Sequence, residues 1–170
     1  MKDKQLLKNL KDKWGEILTL EKIENIYEET NIESVNIPLK CYSKKGQRNE
    51  YSYQYLSDVL KMGNIEFFTL TVLIGKFEVK KRKEVDGGSE QFFKMIKTNT
   101  SKDEMTILKA VAVDEVNNPF ILKDYMAMRK IWVEYSYAGF DKLYEWYKKG
   151  VPEMQDKLSN LMISFIDENG

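Results

Sequence analysis

Residues 65–85 read IEFFTLTVLIGKFEVKKRKEV, and the fold class turns on this stretch. β-branched and aromatic side chains dominate its first two thirds, the composition of a strand on a half-buried sheet. Phe68, Leu70, Val72 and Ile74 share one parity; Phe77 and Val79 share the other. Gly75 stands where the parity changes, which is where a β-bulge belongs. Asp86-Gly87-Gly88 then reads as a hairpin turn, and residues 89–98 (SEQFFKMIKT) as the returning strand. After a loop, residues 105–113 (MTILKAVAV) carry two conflicting signals. Thr, Ile and Val favour a strand, whereas Ser101 to Glu104 resembles a helix capping box. The strand reading completes a three-stranded meander and is the one adopted.

Working upstream, residues 34–42 (SVNIPLKCY) read as a strand with Pro38 marking an edge. A turn, SKKGQ, leads into NEYSYQYL, in which Tyr51, Tyr53 and Tyr55 alternate with Ser52 and Gln54. On a strand all three rings would share one face. A short helix from Leu56 to Met62 would end at Gly63. Within residues 1–33, Leu6, Leu7, Leu10, Trp14, Ile17 and Leu18 have helical spacing, as do Ile23, Ile26 and Tyr27 in a second segment.

Downstream, Asn118-Pro119 supplies a cap followed by proline at the first helical position. Tyr125, Met128, Trp132 and Tyr135 follow at helical spacing. Pro152 opens a last helix with the stripe Met154, Leu158, Leu161, Met162 and Phe165. The expected architecture is α+β in a single domain, 1–170. N-terminal helices occupy 1–33, a mainly antiparallel sheet spans about 34–114, and C-terminal helices over 118–168 pack on the sheet.

Composition narrows the function. The chain has 170 residues, 27 basic and 27 acidic side chains, one cysteine and no histidine. Without histidine there is no Ser-His-Asp or Cys-His pair, no histidine-bound zinc and no histidine pH switch. Cys41 alone can form neither an internal disulfide nor a cysteine-cluster site. The absence of a run of about 18 apolar residues argues against a membrane span, and the charged N-terminus lacks the apolar stretch of a secretory signal. These features lead us to expect a cytoplasmic protein without cofactor or metal, more in keeping with binding than with catalysis. Lysine outnumbers arginine 24 to 3, a bias typical of AT-rich genomes, as in low-GC bacteria and their phages or mobile elements.

The leading expectation is a non-catalytic accessory protein of the inhibitor, assembly or immunity type, binding another protein or itself. Trp132, Tyr135, Tyr137, Trp146 and Tyr147 are its candidate contacts, because tyrosine and tryptophan dominate interface hot spots. Met126, Met128, Met154 and Met162 could add an adaptable surface. Such aromatic density also suits a core. A first alternative is nucleic-acid binding through Lys44, Lys45 and Arg48, the tyrosines 51, 53 and 55, and the basic run Lys80, Lys81, Arg82 and Lys83. Lysines on an edge strand also block aggregation, and zero net charge is unlike a dedicated nucleic-acid binder. A second alternative is a Mg²⁺-dependent nuclease, since Glu78-Val79-Lys80 matches an E-x-K element, with Asp58 or Glu66 as the upstream carboxylate.

Overall fold

The structure, a computed structural model, describes residues 34–44, 46–94 and 102–169, all within the compact unit Asn31–Gly170. The two helices expected in residues 1–33 lie outside the described residues. In chain order the elements are strand β1 (Ser34–Pro38), a 3-10 turn (Leu39–Cys41), helix α1 (Tyr53–Leu60) and helix α2 (Asn64–Leu73). Helix α2 runs on as a π-helical segment, Ile74–Val79. Strand β2 (Ser89–Lys94), helix α3 (Lys102–Val116), a 3-10 turn (Pro119–Lys123), helix α4 (Tyr125–Lys149) and helix α5 (Val151–Asn169) complete the order. The class is α+β, with helices flanking a two-stranded antiparallel sheet.

Three stretches expected as strands are helical. The first is the deciding one, Ile65–Val79. Its apolar residues are nearly continuous, so they can line a helix on all sides as readily as a strand on two faces, and a helix apolar all round must be buried. Phe67, Phe68, Val72 and Ile74 are fully buried, as is Thr71. The local start signal is the Glu66 carboxylate, whose Oε2 accepts the Gly63 N–H at 2.9 Å. The second correction is the tyrosine strand. Ser52 caps α1 by accepting the Tyr55 N–H at 3.2 Å, so Tyr53 and Tyr55 turn away from each other rather than sharing a face. The third is residues 105–113, which lie within α3. The capping residue Ser101 lies outside the described residues, but Asp103 and Glu104 sit in the first turn, where they suit the helix dipole. Leu108, Val111 and Ala112 then bury one face.

The returning strand does form, but its partner is β1 rather than residues 65–79. Val35 pairs with Phe93 and Asn36 with Gln91, so Phe92 is the extra residue of a bulge. The bulge lets the neighbouring rings of Phe92 and Phe93 both enter the core, edge to face at 5.7 Å.

Helix α4 is the central element. It crosses the α2 and π-helical run at two glycines. A methyl group on Gly139 would lie 2.6 Å from the Gly75 nitrogen and collide with the Thr71 carbonyl; one on Gly75 would collide with the Tyr135 carbonyl. At this crossing the buried Thr71 and Ser136 hydroxyls meet at 2.7 Å, and Ser136 meets the Tyr53 hydroxyl at 2.8 Å. The ring of Tyr53 stacks on Phe140 with centroids 4.4 Å apart.

Candidate functional site

The aromatic cluster of α4 is core. Trp132 and Tyr137 are fully buried, and Tyr135 and Trp146 nearly so. The Trp132 indole N–H donates to the Leu108 carbonyl. Tyr147 is half-buried, with its hydroxyl 2.8 Å from that of Tyr55. Of the four flagged methionines, Met128 and Met154 are fully buried, whereas Met126 and Met162 are each 66% exposed.

The outward side of α4 is a different surface. Met126, Arg129, Lys130 and Val133 recur at i, i+3, i+4 and i+7, one stripe of the helix. With Asn36 of β1, Glu84 and Val85 of the segment leading into β2, and Ser89 at the start of β2, they line a groove of about 420 Å³. Met126, Val133 and Val85 supply apolar surface; Arg129, Lys130 and Glu84 supply charge.

The basic run divides in two. Lys80 and Lys81 are exposed, Lys80 in a left-handed conformation that closes the π-helical segment. Arg82 and Lys83 instead fold back onto α4. Arg82 meets Glu115 at 3.2 Å and Glu134 at 3.4 Å. Lys83 pairs with Asp141 and lies 4.0 Å from the ring centroid of Tyr137. Burial is the largest single influence on Lys83 and disfavours its charge, but Asp141 and Tyr137 together outweigh it and hold the pKa above the usual lysine value. Asp141 also accepts the Tyr51 hydroxyl, and burial together with that carboxylate raises the Tyr51 pKa. Lys76, 2.8 Å from Asp114 and 2.9 Å from Glu115, extends the network. Burial opposes the ionisation of Glu115, yet the Tyr135 hydroxyl, Lys76 and Arg82 keep its pKa below the ordinary value.

Glu78 and Lys80 lie at the C-terminal end of the long helix. Residues two apart on a helix do not face each other. Glu66 is in the first turn of the same helical run, about 18 Å away along the axis. No divalent cation could bridge Glu66 and Glu78 at that separation. Among the described residues no group of three or more histidine, cysteine, aspartate or glutamate side chains could hold a metal ion.

A second concavity, about 550 Å³, lies between loop residues 42–44 and 46–49, α1 and Asn64 at the start of α2. Lys44, Arg48 and Tyr55 from the sequence-derived set line it, together with Tyr42, Gln54 and Asp58. Lys45 lies outside the described residues, and Tyr53 is in the core. The sequence reading missed the acidic partners Glu115, Glu134 and Asp141. The available signal was the seven-residue spacing of Glu134 and Asp141, which puts both on one face of α4 opposite Arg82 and Lys83.

Among the described residues no helix is long and apolar enough to cross a membrane. No protein-family model, curated protein or solved structure matches the chain.

Proposed function

We propose that this chain is a non-catalytic accessory protein that acts by binding a protein partner or a second copy of itself. The observation that supports this most directly is the groove beside the first turns of α4, with Met126 66% exposed at its edge. Interfaces combine a central apolar contact with a charged rim, and are enriched in methionine and arginine. Methionine adapts to irregular partner surfaces. The groove has both features: Met126, Val133 and Val85 offer contact, and Arg129, Lys130 and Glu84 surround it. The buried aromatics act through α4 by holding this stripe in place. The proposed setting is the cytoplasm of a low-GC bacterium or its phage, which the lysine-rich composition supports.

The test compares wild type with Met126→Glu and Arg129→Glu, in affinity capture and in light scattering after size exclusion. The expected result is a partner, or a concentration-dependent dimer, held by wild type and lost in both variants with helical content unchanged. A monomer at every concentration that captures nothing, or a partner held equally by the variants, would sink the reading.

A further inference from the structure

We propose a second, independent binding site in the concavity between loop residues 42–44 and 46–49 and α1, one that takes the base and phosphate of a nucleotide from single-stranded nucleic acid or in free form. It shares no residue with the α4 groove.

The site is held from within, while its cations remain available. The Ser43 N–H donates to Gln54 Oε1 at 3.0 Å, and the Ser43 hydroxyl to the Gln47 carbonyl at 2.8 Å. The Ser52 hydroxyl donates to the Asn49 carbonyl at 2.6 Å. Asn49 in turn accepts the Tyr51 N–H through its side chain, at 3.1 Å. A loop fastened in this way loses little freedom when a ligand arrives. The charges on it are not similarly committed. Lys44 is exposed, and Arg48, with its side chain 80% exposed, has only a 3.7 Å pairing with Glu50. Exposed pairs of that length contribute little, so Arg48 can exchange Glu50 for a phosphate.

The remaining lining chemistry selects the ligand. Tyr42 and Tyr55 are half-buried and both line the concavity. The hydroxyl of Tyr55 is held at 2.8 Å by Tyr147. A fixed tyrosine ring is a platform for a base. Gln54 gives its oxygen to Ser43, which leaves its NH₂ group as a donor, and Asp58 is an acceptor in the same concavity. A donor, an acceptor, two aromatic rings and two cations match a nucleobase joined to a phosphate. An acidic peptide would use the cations and leave the rings and amide without a matching partner. A paired base in a duplex cannot enter a pocket of about 550 Å³, so the ligand is unpaired.

The experiment is fluorescence anisotropy of the full chain with labelled single-stranded and duplex oligonucleotides over a range of salt, with adenosine and uridine monophosphates as competitors. The expected result is salt-sensitive binding of single strands in preference to duplex. Lys44→Glu/Arg48→Glu should lower the log–log salt slope by about 1.4, roughly 0.7 per lost phosphate contact. Tyr55→Leu should weaken binding roughly 5- to 100-fold, while Tyr55→Phe, which keeps the ring, retains most of it. Competition by monophosphates at affinities similar to the oligonucleotides would identify the free nucleotide as ligand; much tighter oligonucleotide binding would identify the strand. Thermal unfolding of each variant separates lost contact from lost fold. The proposal is overturned by no binding of any of these ligands at low salt, or by equal binding of duplex. It is also overturned if binding survives Lys44→Glu/Arg48→Glu but is lost in Lys80→Glu/Lys81→Glu. None of these outcomes bears on the α4 groove.

Discussion

Cys41 sits in the 3-10 turn after β1 with no accessible surface. Burial penalises the thiolate and pushes its pKa from 9.0 to about 12. A raised pKa means that the folded protein keeps a proton the unfolded chain releases. The contribution to stability is therefore full below pH 9 and is lost as the pH climbs towards 12. Two outcomes follow. The folded protein should resist thiol reagents at pH 8 and react only when unfolded in urea, and Cys41→Ala should flatten the first part of the alkaline decline in stability. Rapid labelling of the native protein at pH 8 would refute this burial. The basic run makes a second case at the same scale. Arg82→Ala strips a partner from the buried Glu134, whose other cation, Lys130, is 3.8 Å away. Leaving a buried carboxylate under-paired costs roughly 1–3 kcal/mol, whereas Lys81→Ala on the exposed neighbour should stay within about 0.5 kcal/mol. Urea unfolding of the two variants measures the difference. Neighbouring cations thus have opposite roles, and sequence alone does not distinguish them, because the distinction is made by Glu115 and Glu134, far along the chain.

Between elements, the decisive contact is the crossing of α2 and its π-helical extension with α4. Gly75 and Gly139 let two backbones meet where any side chain would intrude. The sequence pattern places a strand bulge at Gly75, whereas what Gly75 supplies is the absence of a Cβ in a helix. Gly139→Ala should destabilise by about 3 kcal/mol, because a packed backbone, unlike a side chain, has little room to yield. For a unit of this size that lowers the melting temperature by roughly 6–12 °C. Gly46→Ala is the control. Gly46 has φ +88° and nothing within 4 Å of an added Cβ, so its cost is only the left-handed conformation, about 1–2 kcal/mol. Equal melting temperatures for the two variants would mean that the helices do not cross as closely as described. The larger loss is expected at Gly139, where an added Cβ meets the Thr71 carbonyl and the Gly75 nitrogen.

For the molecule as a whole, the balance of helix and sheet can be measured directly. Cα chemical shifts should be helical through residues 65–79 and 105–113 and extended through residues 34–38 and 89–94. Amides in the buried middle of α4, from Ile131 to Leu143, should exchange most slowly. Extended shifts at residues 65–79 would restore the meander. Much of this arrangement was legible in the chain. The α+β class, the strands starting at Ser34 and Ser89, the Asn118 cap and the helices on either side of Gly150 all follow from local signals. Such signals are short-range: a cap, a turn glycine, or an apolar spacing that a single element satisfies by itself. The candidate sites were legible only in part. Lys44, Arg48 and Tyr55 do meet in one concavity, whereas Tyr53 and the α4 aromatics went to the core.

The chain alone sets the available chemistry: no histidine, one cysteine, balanced charge, and apolar residues enough for an interior without a membrane-length run. It also determined where several elements begin and end, since capping and turn residues act within one or two turns of themselves. Whether Ile65–Val79 is helix or strand, and which aromatics face water, is settled by packing between elements. Continuous apolar runs satisfy both periodicities, so the choice falls to whatever surrounds them. Here α4 surrounds α2 on one side, and the close approach at Gly75 and Gly139 makes burying a helix the favourable solution.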